Sequence, residues 1–213
     1  IVLVSPSNPT GRILDEATLR GVAAIAARHG VLVVLDDPYS PFTYDNRDRF
    51  FNLASAAEYA DTVIYLFTFS KAYAMSGWRV GYMICPEEIR TQMVKVHDLT
   101  MICTPRISQV AALAALRSEP AHIAEFSAIL DRRRGLICAR LDAMGHVFDY
   151  ARPEGAYYVF PRVRVGDGDD VAFAHRLLSD VHVTVTPGSA FGPSGRNHVR
   201  MAYCVADDVI NRA

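Results

Sequence analysis

Three short apolar runs, each closed by polar residues, constrain the fold of this chain more than any other feature. They span residues 1–5, 31–37 and 61–67. The run "VLVVLDD" (31–37) is continuously apolar before its two carboxylates, which is typical of a strand buried on both faces. A helical pattern that Asp15 can cap separates the first two runs. Strands that alternate with helices predict an α/β fold with a mostly parallel sheet.

The rest of the sequence predicts a continuation of this domain and then a change in the pattern of secondary structure. A helical segment, a fourth strand and two long helices are expected at 53–60, 78–85, 87–117 and 120–144. After Gly145 the chain predicts short strands at 146–150, 156–162, 181–186 and 198–203, with one helix near 169–179. We therefore expect a larger α/β domain over 1–144 and a smaller α+β domain over 145–213.

Composition argues against several classes of partner. The 213 residues carry 22 basic and 23 acidic side chains, a net charge of −1, which does not suit a nucleic-acid-binding protein. No apolar stretch reaches membrane-spanning length, so we expect no membrane partner. The four cysteines are widely spaced and form no CxxC pair. We therefore expect no disulfide framework and no metal site, but buried free thiols in a cytoplasmic protein.

Polar side chains with strong binding chemistry follow each of the first three predicted strands. In chain order they are Asn8, Asp36, Asp37, Tyr39, Thr68, Ser70 and Lys71. Ligands of parallel sheets bind beyond the carboxyl ends of the strands, so these groups are expected to meet in one crevice. The alternative is chance, because loops that follow strands are normally polar.

The stretch "FTFSKAYAMSGWRVGY" (67–82) holds Lys71 and Arg79 but no acidic residue to pair with them. A lysine in an apolar loop is expected to have a depressed pKa, and its neutral amine forms Schiff bases. An arginine beside hydroxyl groups can bind a phosphate. With an aspartate for a ring nitrogen and a tyrosine and an asparagine for a phenolic oxygen, these groups meet the needs of pyridoxal 5′-phosphate.

Five motifs carry a resemblance to a known family. They are "NPTG" (8–11), "DDPY" (36–39), "TFSK" (68–71) with Arg79 eight residues later, "PEGAYYVFP" (153–161) and "VTPGSAFG…HVRMAY" (185–203). Together they resemble the class I/II aminotransferases, pyridoxal-phosphate-dependent enzymes of fold type I. The resemblance spans essentially the whole chain. It implies the large domain of an aspartate aminotransferase-like fold, followed by an incomplete small C-terminal domain.

The resemblance implies a role for each matching residue. Lys71 holds the cofactor as an internal aldimine and moves the substrate's α-proton. Asp36 pairs with the pyridine nitrogen, and Asp37 is the competing candidate. Tyr39 and Asn8 are implied to contact the phenolic oxygen of the cofactor. Arg79 and Thr68 are implied to bind its phosphate, with Ser70 as a further candidate. Arg200 is implied to bind the substrate's α-carboxylate. Tyr157 either borders the substrate or is a core aromatic residue.

The activity implied by the resemblance is ping-pong transfer of an amino group between an L-amino acid and a 2-oxo acid. It also implies a homodimer in which Thr104–Ser108 approach the partner's active site. Two alternatives stay open: a C–S lyase or decarboxylase of the same fold, and the aminotransferase-like sensing domain of a transcription regulator. The substrate is not readable, because in the family the discriminating contacts often come from the N-terminal part and the other subunit. Arg106 suits a second carboxylate, but a surface arginine at a helix start is favoured. Since the chain starts at Ile1 inside a strand, we expect a fragment that lacks the family's N-terminal part and turns over poorly alone.

Overall fold

The computed structural model describes residues 1–45, 50–119 and 121–213, which form two compact units. The first unit comprises Ile1–Pro6 and Ile13–Phe126, and the second comprises Ser7–Arg12 and Ser127–Ala213.

This division differs from the predicted boundary after residue 144, since it falls inside helix α4 (Ala121–Ala143). Residue 120, where the sequence predicted this helix to begin, lies outside the described residues. The physical reason for the earlier division is the packing of the helix. Ile137 and Leu141 line an apolar cavity together with Phe148 and Phe173, which ties most of α4 to the second unit.

A four-stranded sheet organises the first unit. Its strands, in spatial order, are β1 (Val2–Val4), β2 (Val33–Asp37), β3 (Val63–Thr68) and β4 (Gly81–Ile84). The first three strands run parallel, and β4 runs antiparallel to β3. The predicted α/β class and mostly parallel sheet are confirmed. The direction of β4 is new information, because an apolar run specifies a strand but not its orientation.

Helix α1 (Glu16–Arg28) covers one face of this sheet. Asp15 caps it as predicted, accepting a hydrogen bond from the amide of Thr18 at 2.7 Å. The core beneath it is formed by the apolar residues Leu19, Ala23, Ala26, Val33, Leu35, Leu53, Val63 and Tyr65. The expected helix at 53–60 consists of two short 3₁₀ turns, Leu53–Ser55 and Ala57–Tyr59.

The single helix predicted over 87–117 is two helices, α2 (Glu87–Thr100) and α3 (Arg106–Arg117). The break follows from local chemistry. Ile102 has a left-handed backbone with φ of 62°, and Pro105 has no amide hydrogen to donate to a continuing helix.

The second unit is built from short strands and helices. After α4 these are β5 (Phe148–Asp149), β6 (Tyr158–Val159), β7 (Arg162–Val163), α5 (Asp170–Val181), β8 (Thr186–Pro187), β9 (Val199–Ala202) and α6 (Asp207–Arg212). One sheet pairs β5 with β7, and the other has the order β6-β9-β8. The predicted strand over 156–162 is interrupted because Pro161 cannot donate to a ladder. The one predicted over 181–186 begins only at Thr186, since α5 continues to Val181.

The cysteines bear out only part of their prediction. Cys138 is buried as predicted, whereas Cys85 is partly exposed and Cys103 and Cys204 are exposed. Among the helices of the described ranges, none has both the length and the hydropathy to cross a bilayer.

Gly81 allows β3 and β4 to approach closely, which generates a test of the sheet. A Cβ at this position would lie 2.5 Å from the carbonyl oxygen of Phe67. We therefore expect Gly81→Ala to lower the free energy of unfolding by about 1–3 kcal/mol, measured by urea denaturation of the complete protein.

Gly21→Ala is the matched control. It lies inside α1, and its added Cβ would meet no atom within 4 Å. It should raise the free energy of unfolding by about 0.5–1 kcal/mol, because alanine favours helix interiors. Equal effects of the two substitutions would contradict the close strand approach.

Candidate active site

The predicted site residues are distributed over both units. Those of the first unit are Asp36, Tyr39, Thr68, Ser70, Lys71 and Arg79, and those of the second are Asn8, Tyr157 and Arg200. The assignment of Asn8 to the second unit was not expected from its position after β1. Each group is described within its own unit.

The carboxyl ends of β2 and β3 place the first group at one edge of the sheet. These strands pair in parallel, with Asp36 opposite Leu66 and Asp37 opposite Phe67. Thr68 is the last residue of β3. The prediction concerned three strand ends. The sheet register brings the ends of β2 and β3 to one edge, whereas Asn8, which follows β1, belongs to the second unit.

Asp37 is a buried residue with partners inside the protein. Its carboxylate accepts hydrogen bonds from the hydroxyl of Tyr65 at 2.7 Å and from the amide of Ser40 at 2.8 Å. Burial raises the pKa of Asp37, and these hydrogen bonds act in the opposite direction. Burial and the bond to Asp37 also raise the pKa of Tyr65. Asp37 thus anchors β2 to β3.

Asp36 points to the opposite face of the strand, as alternation along β2 requires. It is half-buried, and its carboxylate makes no hydrogen bond or ion pair with any residue that the structure describes. Burial, followed by the charge of Asp37, raises its pKa. A desolvated acid without a counter-ion is suited to an external cation. Of the two aspartates that the sequence left in competition, Asp36 is the one free to bind a ligand.

Lys71 and Arg79 lie in the hairpin loop that joins β3 to β4. The amide of Phe69 donates to the carbonyl of Val80 at 3.2 Å and so closes the loop at its base. Phe69 is buried with Met75 and Ala112 in a small core. This core supports the loop from below, which explains the aromatic and small residues around the two cations.

The side chains of the loop are arranged for polar binding. The hydroxyl of Thr68 donates to that of Ser70 at 2.8 Å, and the amide of Ser70 donates back to Thr68 at 3.1 Å. Arg79 is exposed, has φ of 51°, and donates to the carbonyl of Ser76 at 2.8 Å. Across the described ranges, neither Lys71 nor Arg79 has an acidic partner.

Tyr39 follows Pro38 directly after β2 and is 3% exposed. Its carbonyl accepts from the amide of Phe42 at 2.8 Å, which forms a tight turn. This turn holds the tyrosine close in sequence to Asp36. Its contact with a cofactor stays a prediction.

Arg200 on β9 is the centre of the second group. Its Nη1 donates to Oδ1 of Asn8 at 2.9 Å, and its Nη2 donates to Oγ1 of Thr186 at 3.1 Å. The guanidinium carbon lies 4.6 Å from the ring centroid of Tyr158 and 5.2 Å from that of Phe191. Its buried Nε has no hydrogen-bond partner within residues 1–45, 50–119 and 121–213. A guanidinium held by neutral groups, with a buried donor to spare, is arranged to receive an anion.

Backbone pairing between distant parts of the chain positions Asn8. The amide of Gly11 donates to the carbonyl of Ser7 at 2.9 Å and forms a turn around Asn8. The carbonyl of Gly11 then accepts from the amides of Glu154 and Gly155, both at 2.9 Å. The motifs at 8–11 and 153–161 therefore support each other.

Three residues around Arg200 were missed by the sequence analysis: Tyr158, Thr186 and Phe191. Each lies inside a quoted motif, so a signal was present. Strand alternation beside Tyr157 could have indicated Tyr158, and β8–β9 pairing puts Thr186 opposite Arg200. Tyr157 itself is half-buried, with its ring 4.7 Å from that of Tyr158. Its role at the substrate stays a prediction.

Comparison with known proteins decides the family. The model for the family described as aminotransferase class I and II matches residues 1–213. The chain belongs to this aminotransferase family. The resemblance inferred from the five motifs is thereby confirmed.

The relatives agree with this assignment. The chain is 35% identical over 215 residues to the aspartate aminotransferase of Pyrococcus abyssi, covering 100% of this chain and 54% of that protein. It is 33% identical over 215 residues to aromatic-amino-acid aminotransferase 2 of Thermococcus litoralis, with coverage of 100% and 54%. The chain spans about half the length of these relatives.

Solved aminotransferase structures share the fold. The aromatic aminotransferase from Pyrococcus horikoshii gives a TM-score of 0.92 at 34% identity, covering 99% of this chain and 56% of that one. The aspartate aminotransferase from Thermus thermophilus with maleate gives 0.91 at 30% identity, with coverage of 99% and 54%. The predicted aspartate aminotransferase-like fold is confirmed.

The contrast between the two aspartates of this aminotransferase-family chain predicts opposite effects on stability. Asp36→Asn removes an unpartnered carboxylate and should raise the thermal midpoint of the ligand-free protein at pH 7. A pKa raised by folding destabilises the folded state above that pKa and has no effect below the unfolded value, about 3.9. The gain should therefore disappear as the pH falls toward 4.

Asp37→Ala is the comparison variant for this measurement. It leaves the Tyr65 hydroxyl and the Ser40 amide without their acceptor, so the free energy of unfolding should fall by about 1–3 kcal/mol. Thermal denaturation across pH 4–8 measures both variants. A loss of stability in Asp36→Asn similar to that in Asp37→Ala would show that Asp36 is also a structural residue.

Proposed function

We propose that the complete protein transfers an amino group between an L-amino acid and a 2-oxo acid, with pyridoxal 5′-phosphate as its cofactor. One observation carries the proposal. Four charged residues of the family motifs, Lys71, Asp36, Arg79 and Arg200, have no oppositely charged partner among the described residues. Asp36, Lys71 and Arg200 are half-buried, where an unpaired charge is costly, so their arrangement favours ligands that complete the pairing.

The residues fit the cofactor. When bound, pyridoxal phosphate supplies a reactive carbonyl carbon, a phosphate and a protonated ring nitrogen that withdraws electrons from the substrate's α-carbon. The Lys71 amine can hold the carbonyl carbon covalently. Asp36 can keep the ring nitrogen protonated, and that cation in turn relieves the unpaired carboxylate. The cluster of Thr68, Ser70 and Arg79 supplies hydroxyl and guanidinium donors for the phosphate.

Asn8 and Tyr39 are proposed for the phenolic oxygen of the cofactor. Oδ1 of Asn8 is engaged by Arg200, so its remaining amide hydrogens are the donors that can reach a ligand. Asn8 would thus contact both the cofactor and the arginine that orients the substrate. The hydroxyl of Tyr39 would be the second donor.

The substrate's α-carboxylate is proposed to bind Arg200, whose buried Nε is without a partner in the part of the chain that the structure describes. Tyr158 and Phe191 flank the guanidinium and restrict its position, and Tyr157 is proposed to border the substrate. With the carboxylate fixed, the Lys71 amine, once the incoming amino group has displaced it from the carbonyl carbon, would be free to act as the base that removes the proton from the α-carbon and returns it. The two half-reactions would follow ping-pong kinetics.

The assembly and location of the protein are also proposals. We propose a cytoplasmic homodimer in which Thr104–Ser108 approach the partner's active site. The family resemblance supports the dimer, and the wide spacing of the four cysteines, which form no CxxC pair, suits a reducing compartment.

An activity screen tests the proposed function. The complete protein, supplied with pyridoxal phosphate, is incubated with acidic, aromatic and aliphatic amino acids in combination with 2-oxo acids. Transfer of the amino group is expected, with parallel lines in double-reciprocal plots. Release of a thiol or of carbon dioxide without transfer would support the lyase or decarboxylase alternative. Cofactor binding without turnover would support the sensing domain.

Arg200→Lys should impair this activity through substrate binding. Lysine keeps the charge but lacks the planar guanidinium that pairs with a carboxylate through two hydrogen bonds. We expect kcat/KM to fall by about 100-fold, mainly through KM. Arg196→Lys is the control, because Arg196 is an exposed arginine of the same segment. A similar KM in the two variants would contradict the role of Arg200.

A further inference from the structure

The position of Arg200 depends on the loop that connects β8 to β9, residues 188–198. Phe191, which lies against the guanidinium, belongs to this loop, and β9 with Arg200 begins directly after it. A contact that fixes this loop therefore also fixes Phe191 and the start of β9, and with them part of the surroundings of Arg200.

One such contact is the close approach of the two ends of the loop. A Cβ on Gly188 would overlap the carbonyl oxygen of Gly195, and a Cβ on Gly195 would overlap that of Gly188. The amide of Gly188 also donates to the carbonyl of His198 at 2.8 Å. Close packing brings the ends together, and the amide of Val163 in β7 donates to the carbonyl of Asn197 at 2.7 Å, but neither contact links the loop to helix α5.

Asp170, the first residue of α5, supplies that link. Its side chain is 5% exposed. Oδ2 accepts from the amide of Ser189 at 2.8 Å, and Oδ1 accepts from that of Asn197 at 3.4 Å. A single carboxylate thus holds the beginning and the end of the loop against helix α5. Neither amide belongs to the helix, so the carboxylate of Asp170 stabilises the loop and does not cap α5.

The charge of Asp170 is retained despite its burial. Burial acts to raise the pKa of this carboxyl, but the hydrogen bonds from Ser189 and Asn197 outweigh it and keep the pKa below its ordinary value. An ionised acceptor makes both hydrogen bonds stronger than a neutral one would.

We propose that Asp170 is a positioning residue for substrate binding: it holds the 188–198 loop so that Phe191 and β9 keep the Arg200 guanidinium oriented toward the α-carboxylate. The inference rests on the proposed function and deepens it. Asp170 does not touch the substrate. It acts through two backbone amides, one located two residues before Phe191 and the other three residues before Arg200.

The neighbouring Asp169 provides a matched control. Its carboxylate caps α5, accepting from the amides of Val171 at 3.0 Å and Ala172 at 2.9 Å, and it makes no hydrogen bond to the loop in the described part of the chain. Asp169→Ala should lower the thermal midpoint by about 2–4 °C through loss of this cap. This variant measures the effect of destabilising α5 alone.

The test compares Asp170→Asn with Asp169→Ala in the complete protein loaded with cofactor. Asparagine has the same shape but brings an amide donor against one of the two loop amides. We expect KM for the best amino acid donor to rise about tenfold or more in Asp170→Asn, with kcat nearly unchanged. Asp169→Ala should keep the wild-type KM even though its thermal midpoint is lower. A rise in KM that is equal in the two variants would overturn the proposal.

Hydrogen exchange separates this inference from the proposed function. In Asp170→Asn the amides of residues 188–200 should exchange faster than in the wild type, whereas in Asp169→Ala only those at the start of α5 should change. Unchanged exchange in the loop would overturn the positioning role, whatever the activity. If the wild-type protein transfers no amino group while the loop loses protection in Asp170→Asn, the proposed function fails and the holding of the loop by Asp170 is upheld.

Discussion

The parallel pairing of β2 with β3 is the constraint on which the first unit's candidate site depends. Because both strands run in the same direction, Asp36 and Thr68 come to the same edge of the sheet. The antiparallel return of β4 then closes the loop that carries Lys71 and Arg79. Asp37 secures this arrangement from the buried face through its hydrogen bond to Tyr65. The two adjacent aspartates therefore have different roles: Asp37 holds β2 and β3 together, and Asp36 points to the opposite face.

A second theme is the contrast between Arg200 at the proposed binding site and several arginines elsewhere in the chain. Arg20, Arg90, Arg133 and Arg134 all have carboxylate partners. Arg200 is instead surrounded by an amide, a hydroxyl and two aromatic rings. Such a setting fixes the guanidinium without satisfying its charge. Sites of this kind reduce the stability of the unliganded protein and keep the group available for an anion.

Much of the fold and of the candidate site could be predicted from the sequence. Apolar runs located β1 to β4, and the motif residues indicated Lys71, Asp36 and Arg200 because their chemistry is local. Features that depend on distant pairing were not readable. The bonds from Glu154 and Gly155 to Gly11, which position Asn8, leave no local pattern. Tyr158, Thr186 and Phe191 resemble ordinary strand and loop residues until the fold brings them to Arg200. The bond of Asp170 to two loop amides is likewise visible only in the structure.

The central claim is that the amine of Lys71 holds pyridoxal phosphate covalently. It is tested most directly by incubating the complete protein with the cofactor, reducing with borohydride, digesting, and sequencing the labelled peptide by mass spectrometry. The account predicts a single added cofactor mass on Lys71, which is absent from Lys71→Ala. Lys95, an exposed lysine on α2, provides the internal control and should stay unlabelled. Label on another lysine, or no label at all, would contradict the account.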